Sequence, residues 1–297
     1  MKELFAHGSE VEKVFTGAIF SEGPASDRQG NVLFSDCSEN IIYSFNEMTL
    51  ETSVWSNDSG HANGMNFDAQ GRLVVCCDGK KYPSNPKGGA HAVRRYEKNG
   101  SITTLADSFD GKKLNGPNDL CFDSEGRIYF TDPRYGDTSD LEQDKMAVYR
   151  IDLDGTLSRV IEDLETPNGI LISRDNKSLF IVDHNPEPGG ARQLVKYKAT
   201  STGSWVKDKV LLDFGAGYGM DGMVLDEEEN IYVTGGSGTS AGVHIVSSEG
   251  DLRGFIPTPE IPGNCTFSGA NLDYLYICAT SSLYRIKMNV KGLLTWS

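Results

Sequence analysis

The chain has 297 residues, a formal net charge of −14, ordinary apolar content and 33 glycines. That length suits two ordinary domains or one all-β ring, and the glycine content suits a fold of many tight turns. The acidic balance argues against nucleic acid and anionic membranes as partners, since both need a basic face; a solvated acidic surface and an affinity for cations both fit it. The N-terminal MKELFAHGSEVEKVF lacks an apolar run of signal-peptide length, and no stretch approaches a membrane span. The cysteines, Cys37, Cys76, Cys77, Cys121, Cys265 and Cys278, show no CxxC spacing and lie mostly within apolar strands. They read as buried free thiols, which places the protein in a reducing compartment, the cytoplasm.

In chain order, the first strand signal is the N-terminal VEKVF, expected to pair with the last unit of the fold. A turn rich in Asp and Gly followed by a short apolar strand then recurs six times. The strong copies are DRQGNVLFSD from Asp27, DAQGRLVVCCD from Asp68 and DSEGRIYFTD from Asp123. The weaker ones are SRDNKSLFIVD from Ser173, DEEENIYVTG from Asp226 and SGANLDYLYICAT from Ser268. Their spacing of about forty to fifty-five residues is that of a propeller blade. Around each turn lie further strand signals: GMNFD, DLCFD, GILIS and DGMVLD before it, NIIYSFN, MAVYRIDL and SLYRIKM after it, then LETSVW, ITTLAD and VLLDF. Four antiparallel strands per unit and six units predict an all-β, six-bladed β-propeller with four-stranded blades, formed by residues 1–297 as one domain. A pair of β-sandwiches is the less economical alternative.

Five residues before each turn the copies place Glu22, Asn63, Asn118, Asn168 and Asp221, and in the sixth Gly263, or Asn264 if the gap is set differently. The ring geometry aims this position at one mouth of the central channel, and the lapse at Gly263 is expected to leave room there for substrate. Asn and Asp also form turns and cap their own backbone. A register of oxygen donors that includes a Glu points instead to a hard cation. Calcium takes about six to eight oxygen ligands, and the set holds no His or Cys of the kind zinc prefers. One divalent cation is expected, calcium first and Mg2+ second, with Mn2+ and Zn2+ as further options.

The chain resembles the SMP-30/gluconolactonase/luciferin-regenerating-enzyme family in SEGP at Ser21–Pro24, LNGPNDL at Leu114–Leu120, YFTDPRYG at Tyr129–Gly136, TPNG at Thr166–Gly169 and MDGM at Met220–Met223. The resemblance implies a six-bladed propeller with a divalent cation at the channel mouth and hydrolysis of lactones, with relatives acting on organophosphates. It assigns Glu22, Asn168 and Asp221 to the metal, Asn118 to the metal or the substrate, and Asp221 to acid/base catalysis. The mammalian sugar-lactonase branch carries an Arg where this chain has Gly116 and a Glu near Gly136. The motif forms are closer to bacterial gluconolactonases and drug-responsive lactonases.

The expected chemistry is attack of water on a small-molecule lactone, with Asp221 as base or, alternatively, as metal ligand only. Asn63, Asn115, Asn118, His61 and His184 are the candidate substrate contacts, against a plain loop role for the histidines. GTSAG at Gly238–Gly242 has GxSxG spacing but no helix signal follows it, so a nucleophile elbow is not supported, and GGSGTSAG from Gly235 lacks the Lys of a phosphate loop. The proline-rich loops KKYPSNPKGG and HNPEPGG are expected to cover the mouth. The alternatives are a phosphotriester or fluorophosphate hydrolase on the same metal and a non-enzymatic calcium- or protein-binding propeller. The oligomeric state stays open.

Overall fold

The repeats build a ring. The computed structural model describes residues 4–27, 29–83 and 85–293. Its strands form six four-stranded antiparallel sheets, each running from an inner strand at the channel to an outer strand at the rim. Blade 1 comprises Ser21–Ser26, Val32–Asp36, Ile41–Asn46 and Glu51–Ser56. Blades 2 to 5 follow with inner strands Ala62–Phe67, Leu120–Phe122, Pro167–Ile172 and Met220–Leu225. Blade 6 takes Pro262–Ser268, Tyr274–Ala279 and Ser282–Lys287 from the C-terminal part and its outer strand, Glu12–Thr16, from the N-terminal part. The expected closure is therefore present, and it pairs Glu12 with Arg285 and Thr16 with Ser282. Beyond the blades there is a hairpin of Ser108–Phe109 with Lys112–Lys113 and a 3-10 turn at Gly238–Ser240, the latter inside the GGSGTSAG loop. Among the described residues no helix is long and apolar enough to cross a membrane.

The side chains of the repeated turn explain its sequence. Asp68 Oδ1 accepts the backbone N–H groups of Gln70 and Arg72 while its Oδ2 accepts the Arg72 guanidinium at 2.7 Å. Asp123 repeats this with Glu125 and Arg127. In Asp27 and Asp226 the returning donor is an Asn four residues on, Asn31 or Asn230. The chain then needs a left-handed residue, supplied by Gly30, Gly71 and Gly126 in the strong copies and by Asn176, Glu229 and Leu272 in the weak ones. A non-glycine there costs roughly 1–2 kcal/mol, so the weak copies are those that carry local strain.

At the end of the second strand a second Asp ties down the segment that enters the blade. Asp36 accepts the N–H groups of Ile19 and Phe20, Asp132 those of Asn115 and Gly116, and Asp183 those of Glu165 and Thr166. In two blades the residue before this Asp bonds to the next blade, Ser35 donating to Asn63 O and Thr131 to Asn168 O; Thr234, which precedes Gly235, donates likewise to Gly263 O, all at 2.7–3.0 Å. Neighbouring inner strands are thus linked at the level of the candidate site. All six cysteines are free and buried.

Candidate active site

Five of the six inner strands break register at their start, between Glu22 and Ala25, Ala62 and Met65, Pro167 and Ile170, Met220 and Met223, and Pro262 and Asn264. A bulge bends a strand and re-aims a side chain. The bulged stretches hold Glu22, Asn63, Asn168 and Asp221, so these residues lie within the inner strands rather than before them; Asn118 alone precedes its strand. All five line one cavity of about 390 Å3 at the channel mouth, together with His184, Asp78, Lys80, Tyr82, Arg134, Tyr135 and Tyr218. Lys80, Tyr82 and Pro186 place both proline-rich loops on its wall.

The pairing register decides the sixth blade. Pro262 faces Ala279 as Met220 faces Gly235, which makes Gly263, not Asn264, the counterpart of Asp221. The expectation that this lapse leaves room for substrate is corrected by the geometry: a Cβ on Gly263 would lie 2.3 Å from Glu22 Oε1, so the Glu22 carboxylate already fills the place.

The next position along the strands is equally informative. It is Gly23, Gly64, Gly169 and Gly222 in four blades and Asp119 and Asn264 in the other two. A Cβ on Gly23 would meet the Asn63 carbonyl at 1.9 Å, one on Gly64 would meet Asp119 Oδ1 at 2.3 Å, and one on Gly222 would meet Asn264 Cγ at 2.0 Å. The glycines let neighbouring blades approach and make room for two side chains across the axis. Asn264 Nδ2 lies 3.4 Å from Asp119 Oδ2, and the pair lines the narrow channel beneath the mouth. Sequence reasoning missed Asp119; the signal was two departures from an otherwise all-glycine column.

Three carboxylates are therefore buried on or near the axis. Burial pushes Glu22 up to about 8, with the Asp119 charge adding to it and the Gly23 N–H and the Asn264 amide opposing. Asp221 is raised well above the usual carboxylate range by burial and by the charges of Glu22 and Asp119, and Asp119 is pushed up to about 7 by burial. No cationic side chain figures among the groups acting on any of the three. Buried carboxylates that repel one another need a cation or a proton. Among the described residues no three His, Cys, Asp or Glu side chains converge as a metal cluster, so a coordination shell here must draw on amide oxygens. Glu22, Asp221, Asn168 and Asn118 offer two carboxylates and two amides, a donor set that fits a hard divalent cation.

The candidate histidines part company. His184 lines the cavity, between Tyr135 and Tyr218 in edge-to-face contact at 6.2 and 5.4 Å. Burial, then the Arg192 charge, holds its pKa below the ordinary value, so it is neutral at pH 7. His61 stands behind the wall: its ring stacks on Tyr82 at 4.5 Å, and its Nδ1 lies 2.6 Å from the Cys37 carbonyl oxygen. Tyr82 in turn donates to Asp78 at 2.5 Å. Asn115 is also outside the cavity wall, its side-chain amide donating to the carbonyls of Asp132 and Lys145. Both residues therefore stand outside the cavity lining, unlike the other candidate substrate contacts Asn63, Asn118 and His184. The residues sequence reasoning missed are Asp119, Tyr135, Tyr218, Asp78 and Tyr82; apart from Asp119, all lie on loops or strand ends where no repeat register applies.

Residues 20–281 match the model of the SMP-30/gluconolactonase/LRE-like region. A gluconolactonase of Zymomonas mobilis is 29% identical over 95% of this chain and 82% of its own length. The lactonase drp35 of Staphylococcus aureus strain MW2 is 27% identical over 71% of this chain and 62% of its own. The solved structure of a gluconolactonase from Xanthomonas campestris superposes with a TM-score of 0.82 at 29% identity, covering 95% of this chain and 90% of that one. A luciferin-regenerating enzyme shares the fold at a TM-score of 0.76 and 20% identity, covering 96% of this chain and 98% of that one. Fold, blade order and a family match across most of the chain agree: the protein belongs to the SMP-30/gluconolactonase/LRE-like family.

Proposed function

We propose that this chain is a hydrolase that opens lactones at the channel mouth with one divalent cation, calcium before Mg2+, held by Glu22, Asn118, Asn168 and Asp221. The observation that carries the reading is a ring of buried oxygen donors, two of them carboxylates with no cationic side chain acting on them, facing a cavity of small-molecule size. The relatives that are lactonases support the reaction class. The cation when bound supplies a Lewis acid that polarises the lactone carbonyl and stabilises charge on its oxygen.

The chain's own residues do the rest. The aromatic and proline wall of Phe20, Tyr82, Pro133, Tyr135 and Tyr218 packs the ring of the substrate and limits water. Asn63 and Asn118 offer hydrogen bonds to its oxygens from the cavity lining. Asp221 takes a proton from the water whose oxygen bonds to the lactone carbonyl carbon, and returns it to the ring oxygen that leaves as its bond to that carbon breaks. Its environment without the cation raises its pKa; the cation's charge lowers it again, so the carboxylate is ionised and ready to accept. Neutral His184, on the same wall, is placed to contact the substrate. We further propose that the 297 residues act as one domain in the cytoplasm, where the six buried thiols stay reduced.

The test is a panel of sugar and non-sugar lactones with a fluorophosphate as comparison, assayed with calcium and with chelator. The proposal expects lactone turnover that chelation removes and calcium restores; turnover of the fluorophosphate alone supports the phosphotriester alternative instead. Asp221→Asn isolates the base: calcium retained with turnover lowered by about 100-fold or more supports it, whereas turnover near wild type leaves Asp221 as a ligand only.

A further inference from the structure

An asparagine holds a cation only through its carbonyl oxygen, and its amide nitrogen repels one. Of the asparagines on the cavity wall, Asn168 has a neighbour that settles which end points where. Tyr135, on the loop after the second strand of blade 3, places its hydroxyl 3.3 Å from the backbone carbonyl oxygen of His184. A carbonyl oxygen can only accept, so the single phenol hydrogen is committed to it. The same phenol oxygen lies 2.9 Å from the Asn168 amide. With its hydrogen spent, the phenol can only accept there, so the amide nitrogen faces Tyr135. With the amide nitrogen held at Tyr135, the carbonyl oxygen is the atom left to serve the cavity.

We propose that Tyr135 is a positioning residue that fixes the orientation of the Asn168 amide and so presents its carbonyl oxygen to the cation. The inference rests on the cation reading given above. Tyr135 is well placed to act as a fixed reference. Its ring lies edge-to-face against His184. The preceding Arg134 is buried and anchors the loop, donating to the backbone carbonyls of Asn115 at 2.9 Å and Asp137 at 2.8 Å and pairing with the Asp140 carboxylate. The phenol thus reads the backbone of blade 4 and orients a side chain of the same blade from outside it.

Calcium titration calorimetry on the full chain, stripped with chelator, tests this. Tyr135→Phe keeps the ring and removes the acceptor. The expected result is a dissociation constant raised about tenfold, the factor of one hydrogen bond, with the stripped protein still folded and unfolding in one cooperative transition. The same substitution in an Asn168→Asp background is expected to change the constant by less than about twofold, because two equivalent carboxylate oxygens have no orientation to lose. Wild-type affinity in Tyr135→Phe, or an equal loss in both backgrounds, overturns the positioning role while leaving the cation reading intact. A wild-type protein that takes up no calcium or other divalent cation overturns the cation reading itself, and this inference with it.

Discussion

The two halves of the central channel are walled by the same inner strands and differ in almost everything else. The mouth is a cavity of about 390 Å3 ringed by Glu22, Asn63, Asn118, Asn168 and Asp221. The lower half is a space of about 60 Å3 in which Met65, Leu120, Ile170, Met223 and Phe267 mix with Ser26, Asn66 and Thr266. Asp119 and Asn264 stand where one gives way to the other. The side chains of the lower half pack the blades, and Asp119 is the one carboxylate among the described residues of its lining. The mouth, by contrast, holds buried charge that packing alone does not explain. The contrast shows that most of the channel's buried charge is gathered on a few residues at the start of the strands, with a single pair below them.

The largest expected effect comes from removing the charge that distinguishes the mouth. Glu22→Gln leaves the shape and removes a charged ligand; calcium affinity measured by calorimetry is expected to fall by at least about 100-fold. Next comes the boundary. Gly222→Ala drives a methyl group onto Asn264, and overpacking of this kind costs about 1–3 kcal/mol. Thermal unfolding should move down by roughly 2–4 °C per kcal/mol, and adding Asn264→Gly should recover part of the loss. If Gly222→Ala unfolds like wild type, the tight approach of blades 5 and 6 is not a constraint.

A smaller and graded effect is expected from pH. Without a cation Glu22 titrates near 8 rather than near its ordinary 4.5, and Asp221 is raised as well. A carboxyl raised by folding stabilises the cation-free protein below its unfolded pKa, and that contribution is lost as pH rises through about 8. Calcium must displace those protons, so its affinity should strengthen from pH 5 to pH 8 with proton release visible in calorimetry across buffers. Affinity flat over that range would contradict the buried-carboxylate account. The smallest effect is expected at the wall. Tyr82→Phe removes the hydrogen bond to Asp78 and should lower stability by about 1–2 kcal/mol, while calcium affinity stays within about twofold.

The fold was legible because its signals are local and repeated. Asp68 and Arg72, or Asp27 and Asn31, specify a turn by their own hydrogen bonds, and six such turns in phase leave few architectures. The closing strand Glu12–Thr16 was legible as an unpaired strand signal before the first blade. The ring of oxygen donors was legible for the same reason, since equivalence along the sequence becomes equivalence around the axis. Asp119 was within reach of that logic one column further on. Tyr135 and Tyr82 were not, because they sit on loops whose lengths differ from blade to blade and whose contacts reach another blade or fold back within their own. Asn115 and His61 lay close to the register in sequence, but Asp132 and the Cys37 carbonyl hold them behind the wall.

The mouth, and not the lower channel, is the proposed seat of one divalent cation. A crystal grown with calcium and measured at a wavelength where calcium scatters anomalously tests it most directly. The account predicts one peak at the mouth, with oxygens of Glu22, Asn168 and Asp221 at about 2.3–2.6 Å. No peak there, or a single peak beneath Asp119 in the lower half, would contradict it.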